Sequence, residues 1–300
     1  MAGGDTSFES FLQDEVERFR GVYYPVRSGL LRRLLTFRVR PSRLHPNPED
    51  EFCDPKIGPN REIMSGYMRD YRIAMADPNK ARFLYTHIRE PIIVQRIKPD
   101  GYLILNGHHR WGAAHQMGYK RLKVDVVNLT LDADIERILA ASPRSRRVAL
   151  DLDEVLLRQD GDQDAEPALR FPMNRLYPER LRKGLRGLFY YLSTKGYDVW
   201  VYTAQFYSHD YLKKLFDHNH ARVTGVITGI ARGPAGTEAG YKSIKRMLES
   251  KYEETLHIDN DMVVRVDHKT GRYDYIEIGG TRDEWAQGVI DAVEGIVKKR

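Results

Sequence analysis

The sequence reads as an α/β protein of two domains: an N-terminal α+β domain, and a C-terminal Rossmann-like domain on a parallel sheet with a minimal cap. Three observations carry this expectation. The chain has 300 residues, more than one typical domain of about 100–200 residues holds. The polar, proline-bearing stretch Ser142-Pro143-Arg144-Ser145-Arg146-Arg147 sits directly before a new apolar run, as a domain boundary does. From Val148 onward strand-like runs alternate with helical ones, which calls for a parallel sheet with helices on both faces. The expected boundaries are a helical extension over 1–37, a first domain over 38–130, a linker over 131–146 and a second domain over 147–300.

Composition narrows the class. Hydrophobic residues make up 41% and charged residues 30% of the chain, an ordinary globular balance, so disorder is not expected. No apolar run approaches the roughly 18 residues that span a bilayer, and Met1-Ala2-Gly3-Gly4-Asp5 lacks the basic and apolar regions of a secretory signal. No membrane partner is expected. The single cysteine, Cys53, excludes an internal disulfide and fits a reducing cytoplasm. Glu51 and Asp54 beside it would raise its thiol pKa, which disfavours a nucleophilic role. The net charge of +6 is modest. Basic residues cluster as Arg27, Arg32, Arg33, Arg38, Arg40 and Arg43, then Arg144, Arg146 and Arg147, which admits nucleic acid as a partner without requiring it.

The elements follow in order. Phe8, Phe11, Leu12, Val16 and Phe19 are spaced for a helix, so one or two helices open the chain up to about Leu35. Two prolines make 43–50 a loop. Ile63 to Ala76 reads as a helix, and Ile92 to Ile97 as a strand that turns at Pro99-Asp100-Gly101 and returns over Tyr102 to Leu105. Asn106-Gly107-His108-His109-Arg110 opens a helix that stops at Gly118, and Leu122 to Val127 is a further strand. Leu131 to Ala141 reads as a linking helix. Val148 to Leu157, Val199 to Tyr202, Val223 to Ile227 and Thr255 to Ile258 are the strands of the second domain, with a helix over Tyr241 to Lys251.

Two acidic runs then stand out. Val148-Ala149-Leu150-Asp151-Leu152-Asp153 ends a buried strand in two carboxylates, and Leu256-His257-Ile258-Asp259-Asn260-Asp261 ends another. Asp is depleted in strands and costly to bury unpaired, so such ends call for a metal or a reaction. In an open parallel sheet ligands bind outside the carboxyl ends of the strands. Asp151, Thr203 and Asp259 all sit at such ends, and Lys242 early in its helix is placed to reach the same crevice. Carboxylates with a Lys and a Thr suit Mg²⁺ and a phosphate together.

Asp151-Leu152-Asp153-Glu154-Val155, the Tyr202-Thr203-Ala204 turn, Lys242 and Asp259-Asn260-Asp261 resemble, in order, the four motifs of the haloacid dehalogenase superfamily, over roughly 147–278. The resemblance implies a Mg²⁺-dependent phosphomonoester hydrolase. Asp151 would be the nucleophile that forms an aspartyl-phosphate, and Asp153 the acid that protonates the leaving alcohol and later activates water. Thr203 would bind the phosphoryl group and Lys242 neutralise it, with Lys245 competing for that role. Asp259, Asp151 and Asp153 through its carbonyl would bind Mg²⁺, with Asp261 behind them. The intervals between these motifs leave no room for a large cap. Only Arg158 to Pro178 could form a flap, and Asp160, Gly161, Asp162 and Asp164 give it a mobile look. An uncapped crevice leans towards a large phosphorylated substrate, a protein or a nucleic-acid end, while remaining open to small molecules.

Gly107-His108-His109-Arg110 forms a second candidate site, because backbone N–H groups at a helix start, with a basic residue beside them, suit a phosphate. A Zn²⁺ site is disfavoured, since adjacent histidines seldom chelate one ion and no cysteine lies near. Strand, hairpin, Gly-His-His-Arg helix and strand over Ile92 to Val127 resemble the ParB/sulfiredoxin superfamily, with coverage from about Arg38 to Leu129. That resemblance implies nucleotide phosphates on the turn, ATP or another nucleotide as ligand, and, in one branch, phosphorylation of free serine with an acidic base that Glu49, Asp50 or Glu51 could supply. Sulfiredoxins carry a cysteine where this chain has His108, which disfavours reductase activity, and no paired helix-turn-helix follows the turn. The leading expectation is thus the phosphatase fused to a nucleotide-binding domain. The alternatives are a bifunctional kinase/phosphatase and a nucleic-acid-binding or end-processing protein.

Overall fold

The computed structural model describes residues 5–19, 22–77, 87–229 and 238–298. The chain divides into two compact units, the first running to Asn128 and the second beginning at Leu129. In the first unit the elements are α1 (Asp5–Phe19), β1 (Tyr24–Pro25), α2 (Leu30–Leu34), β2 (Phe37–Val39), β3 (Leu44–His45), α3 (Arg61–Ala76), β4 (Ile92–Lys98), β5 (Tyr102–Asn106), α4 (His108–Gln116) and β6 (Leu122–Val127). Their six strands form one mixed sheet in the order β2-β6-β4-β5-β3, with β1 paired to β4 off that path.

Local chemistry explains the borders. The Asn60 side chain accepts from the amides of Glu62 and Ile63 and so starts α3, satisfying donors that a helix start leaves open. β4 and β5 are the expected antiparallel hairpin, and β6 returns parallel to β4. Gly107 precedes α4 at φ 101°, a conformation that costs glycine nothing and other residues strain.

The helical extension expected over 1–37 is not separate. Phe8, Leu12 and Val16, one helical turn apart, are buried in the same cluster as Phe52, Trp111 and Val94. An amphipathic stripe needs a core to cover it, and here that core is the first unit's own.

The second unit comprises α5 (Asp132–Ala141), β7 (Arg146–Asp151), β8 (Leu157–Arg158), α6 (Met173–Leu176), β9 (Arg180–Leu181), α7 (Leu185–Thr194), β10 (Tyr197–Thr203), α8 (His209–His218), β11 (Gly225–Thr228), α9 (Glu238–Lys251), β12 (Glu254–Ile258), β13 (Met262–Asp267), β14 (Tyr273–Glu277) and α10 (Trp285–Lys298). The sheet order is β11-β10-β7-β12-β13-β14. The first four strands run parallel to one another. β13 and β14 add antiparallel, which corrects the wholly parallel sheet expected. The link Asp259–Asp261 is too short for a crossover, so β13 can only turn back.

Strand alternation sends side chains to two faces. Val199 and Val201 of β10 pack with Leu188, Leu212 and Val293 from α7, α8 and α10. Trp200, between them, packs on the other face with Ile244 and Leu248 of α9 and with Ile135 and Leu139 of α5. The 131–146 stretch expected as a linker is therefore part of this unit: α5 buries Ile135 and Leu139, and β7 begins at Arg146. A Cβ on Gly225 would stand 2.3 Å from the Trp200 ring, so only glycine lets that indole lie across β11. Among the described residues no helix is long and apolar enough to cross a membrane.

Candidate functional site

In the second unit, β7 and β12 are in register with Leu150 opposite Ile258. Asp151 and Asp259 therefore step off adjacent parallel strands at the same level. Asp151 is also opposite Tyr202, which brings Thr203 to the same end of the sheet. Asp151 Oδ1 accepts from the Glu154 amide at 2.9 Å and caps the single turn Leu152–Leu156. Asp153 Oδ2 accepts from the Thr203 hydroxyl at 2.7 Å, and Thr203 Oγ1 accepts in turn from the Gln205 amide at 3.0 Å. Burial raises the Asp153 carboxyl above the usual carboxylate range, with Asp151 adding to the effect and the Thr203 hydrogen bond opposing it. A carboxyl shifted in this direction takes up a proton more readily than a free one.

The other expected ligands are more scattered. Asp259 is exposed and accepts from the Asn260 amide at 2.7 Å. Asp261 is exposed, and its carbonyl accepts from the Ile278 amide. Among the described residues no three His, Cys, Asp or Glu side chains gather into a group that could hold a metal ion. The expected set Asp151, Asp153, Asp259 and Asp261 thus does not converge as four carboxylates, because Asp153 turns to Thr203. What remains fit for Mg²⁺ is two carboxylates on neighbouring strand ends, and Mg²⁺ takes one or two carboxylates with water and phosphate oxygens. Lys242 and Lys245 are both exposed on α9. Lys245 is paired with Glu249 at 3.8 Å.

Sequence reasoning missed the residues that hold this end together. Asn260 Oδ1 accepts from Arg182 Nη1 at 2.8 Å and from Arg158 Nη2 at 3.5 Å, and its Nδ2 donates to the Glu154 carbonyl. The loop after β12 is thereby tied to the turn after β7. Arg158 and Arg182 share the buried Asp164, at 2.8 and 3.4 Å. Burial would raise the Asp164 carboxyl, but the Arg158 hydrogen bond and the two guanidinium charges hold it low. Asp164, expected in a mobile flap, is an internal anchor, and β8 pairs with β9 to close the base of that segment. No spacing rule connects residues so far apart in the chain.

In the first unit the Gly107–Arg110 turn faces inward. His108 is 4% exposed. Its Nε2 accepts from the Asn47 amide at 3.1 Å while Nδ1 lies 3.3 Å from Asp50, so Nδ1 carries the proton of a neutral ring. Burial pushes its pKa down to about 4, against the pull of Asp50. His109 Nε2 accepts from the Asn60 amide at 3.0 Å. Arg110, expected to reach a phosphate, donates to the Glu90 carbonyl at 2.8 Å and to Asn106 at 3.3 Å. A Cβ at Gly107 would stand 3.1 Å from its guanidinium. These side chains brace the turn, and the backbone amides that begin α4 are the donors a helix start leaves without an intrahelical partner.

The same bonds sort the three acidic candidates. Asp50 is committed, accepting from the Phe52 amide and facing His108. Glu49 and Glu51 are exposed. Cys53 is buried and its thiol is pushed up to about 12, chiefly by burial, which agrees with an inert cysteine.

The chain is 31% identical over 74 residues to the ATP-dependent L-serine kinase of Staphylothermus marinus, covering 24% of this chain and 27% of that protein. It thus spans about a quarter of the length of the curated relative it matches. Among solved structures, the C-terminally truncated chromosome-partitioning protein ParB of Caulobacter crescentus, complexed with CTP-gamma-S, is 24% identical, with 36% of this chain and 53% of that chain covered and a TM-score of 0.24. A mutant free serine kinase in complex with AMP is 10% identical, with 86% and 82% covered and a TM-score of 0.21. Residues 79–142 match the ParB N-terminal domain, a stretch that begins later than the expected 38–130 and lies mid-chain.

Proposed function

We propose that the first unit is a nucleotide-dependent phosphotransferase of the serine-kinase type. The observation that carries this reading is the latch between the acidic loop and the glycine turn: His108 holds Asn47 and Asp50. Glu49 and Glu51, exposed on either side of Asp50, would then be available to the backbone amides that begin α4. Similarity to an ATP-dependent L-serine kinase supports it. The amides and Gly107 would hold nucleotide phosphates, and one exposed glutamate would take the proton of the acceptor hydroxyl as its oxygen attacks the terminal phosphorus. The P–O bond to the leaving nucleoside diphosphate then breaks. The test is ATP consumption with L-serine and a panel of other hydroxyl acceptors, for the wild type and for Glu49→Gln and Glu51→Gln. One of the two is expected to lose turnover at least 100-fold with nucleotide affinity retained. Full activity in both would overturn the assignment of the base, and no ATP consumption with any acceptor would overturn the reading.

A second reading, for the second unit, rests on the Asp153–Thr203 hydrogen bond and the raised Asp153 carboxyl. We infer a phosphomonoesterase there. Asp151 would attack phosphorus while Asp153 gives its proton to the departing alcohol oxygen. Asp153 would then take a proton from the water that releases phosphate from Asp151. Mg²⁺ held by Asp151 and Asp259 would supply charge neutralisation, with Lys242 beside it. Asp151→Asn is expected to abolish hydrolysis of an aryl phosphate and to leave ATP consumption and the melting curve unchanged. Hydrolysis that persists in that variant sinks this reading and leaves the first untouched.

A further inference from the structure

Beside the strand ends of the second unit lies a tyrosine cluster that neither reading uses. Thr203, which holds Asp153, ends β10, and the loop after it is tied back in two steps. The Gln205 amide donates to the Thr203 hydroxyl oxygen at 3.0 Å, and the Tyr207 amide donates to the Gln205 carbonyl at 3.0 Å. The Tyr207 ring lies parallel to that of Tyr211 on α8, with centroids 6.1 Å apart and 9° between the planes. Tyr211 in turn meets Tyr177 of the flap at 4.9 Å. All three rings are half-buried and pack against the unit's core.

A carboxylate stands at the edge of this pile. Tyr211 Oη donates to Glu179 Oε2 at 2.5 Å. Glu179 comes one residue before β9, which pairs with β8, and β8 begins where the turn after Asp151 ends. The base of the flap is therefore rooted in the turn that carries Asp153. Burial, then Glu179 and then Asp153, push the Tyr207 hydroxyl up to about 12, so its oxygen lies in the field of both carboxylates. Glu179 is half-buried, and among the described residues no basic side chain pairs with it. The arginines of the flap are engaged elsewhere: Arg158 with Asp164, Arg180 with Asp160, and Arg175 over the Phe171 ring. His218 touches the pile at its far end, against Tyr177 at 5.1 Å. A half-buried carboxylate without a cation, flanked by tyrosine rings, favours a positively charged ligand.

We propose that Glu179 and Tyr207 form the subsite for the departing alcohol, and that the substrate is a phosphorylated amino alcohol whose ammonium group sits against them. This subsite rests on the phosphatase reading and gives it a substrate class. Asp153 marks where the alcohol oxygen must lie, since it hands that oxygen its proton, and Tyr207 stands on the loop that Thr203 ties to Asp153. The phosphoryl group passes to Asp151 as the P–O bond breaks, the Asp153 proton goes to the alcohol oxygen, and the amino alcohol leaves with its ammonium charge intact. A ring face and a carboxylate together attract that charge, whereas a plain alkyl chain gains nothing from Glu179.

The test is phosphate release with Mg²⁺ present from 2-aminoethyl, 3-aminopropyl and 4-aminobutyl phosphate, each set against the alkyl phosphate of equal chain length. For the wild type, kcat/KM should favour at least one amine by roughly tenfold or more. Glu179→Gln keeps an acceptor for the Tyr211 hydroxyl and removes the charge, so it should bring that ratio to about one, and Glu179→Lys should push it below one. Each protein is compared with itself across two substrates, so a general loss of activity does not move the ratio. Wild-type hydrolysis of an aryl phosphate with no preference for any amine overturns the proposal and leaves the phosphatase reading standing. A preference retained in Glu179→Gln overturns it as well. No hydrolysis of any phosphomonoester sinks that reading and the subsite with it.

Discussion

The two units handle polar side chains in opposite ways. At the Gly107–Arg110 turn of the first, the side chains bond inward: His108 to Asn47, His109 to Asn60, Arg110 to Glu90 and Asn106. At the strand ends of the second, Asp151 and Asp259 themselves stand level on adjacent strands, and Asn260, Arg182 and Asp164 hold the surrounding loops. A site made of backbone depends on the shape of its turn, and a site made of carboxylates depends on charge. Substitutions should therefore act on the first through folding and on the second through electrostatics, and three experiments would break or sharpen that contrast.

The largest effect is expected from Asp164→Ala. It would leave Arg158 and Arg182, both largely buried, without their shared carboxylate. Removing one side of a buried ion pair typically costs about 3–5 kcal/mol. Urea unfolding followed at Trp200 and Trp285 should shift to lower denaturant, while the transition of the first unit, followed at Trp111, should not. A coincident shift of both transitions would show that charge in the second unit is not a local matter.

Next comes the His108 latch. Its folded pKa of about 4 lies below the ordinary histidine value, so between those values the unfolded chain binds the extra proton and the folded one does not. Stability from this residue is present above about pH 6.5 and is lost as pH falls towards 4. His108→Gln should flatten the acid side of the first unit's stability curve and leave the transition of the second unit unchanged. Near neutrality His108→Gln is expected to cost roughly 1–2 kcal/mol, since it strips partners from the Asn47 amide and Asp50.

What the sequence disclosed divides along the range of the interactions. The hairpin over 92–106 was legible because alternation and Pro99-Asp100-Gly101 are local signals, and β7 because its apolar run ends in Asp151. The strand ends were legible as a set because each follows its own apolar run. The latch was not, since His108 and Asn47 lie 61 positions apart, nor was the Arg182–Asn260 bond across 78. Nothing in Glu49-Asp50-Glu51 says which acid turns inward, because that choice is made by the His108 ring. The 131–146 stretch misled for a related reason: an amphipathic helix looks the same whether it links domains or covers a sheet, and only Trp200 and Ile244 decide which.

The smallest effect expected is also the most specific. In Asp153 the Thr203 hydroxyl steadies the charged carboxylate, opposing burial and Asp151, which favour the proton. Thr203→Val keeps the side-chain volume and removes that hydrogen bond, so the Asp153 carboxyl should rise further. If Asp153 gives its proton to the departing alcohol, kcat/KM for an aryl phosphate falls on the alkaline side as that proton is lost, and in the variant this limb should move to higher pH by less than about one unit. Turnover should drop as well, since a phosphate donor disappears, but a drop alone would also follow from a loosened strand end. The direction of the limb is what separates the two. Movement to lower pH, or none, would mean that the titrating group is not the carboxyl Thr203 holds, and the acid–base role would pass away from Asp153.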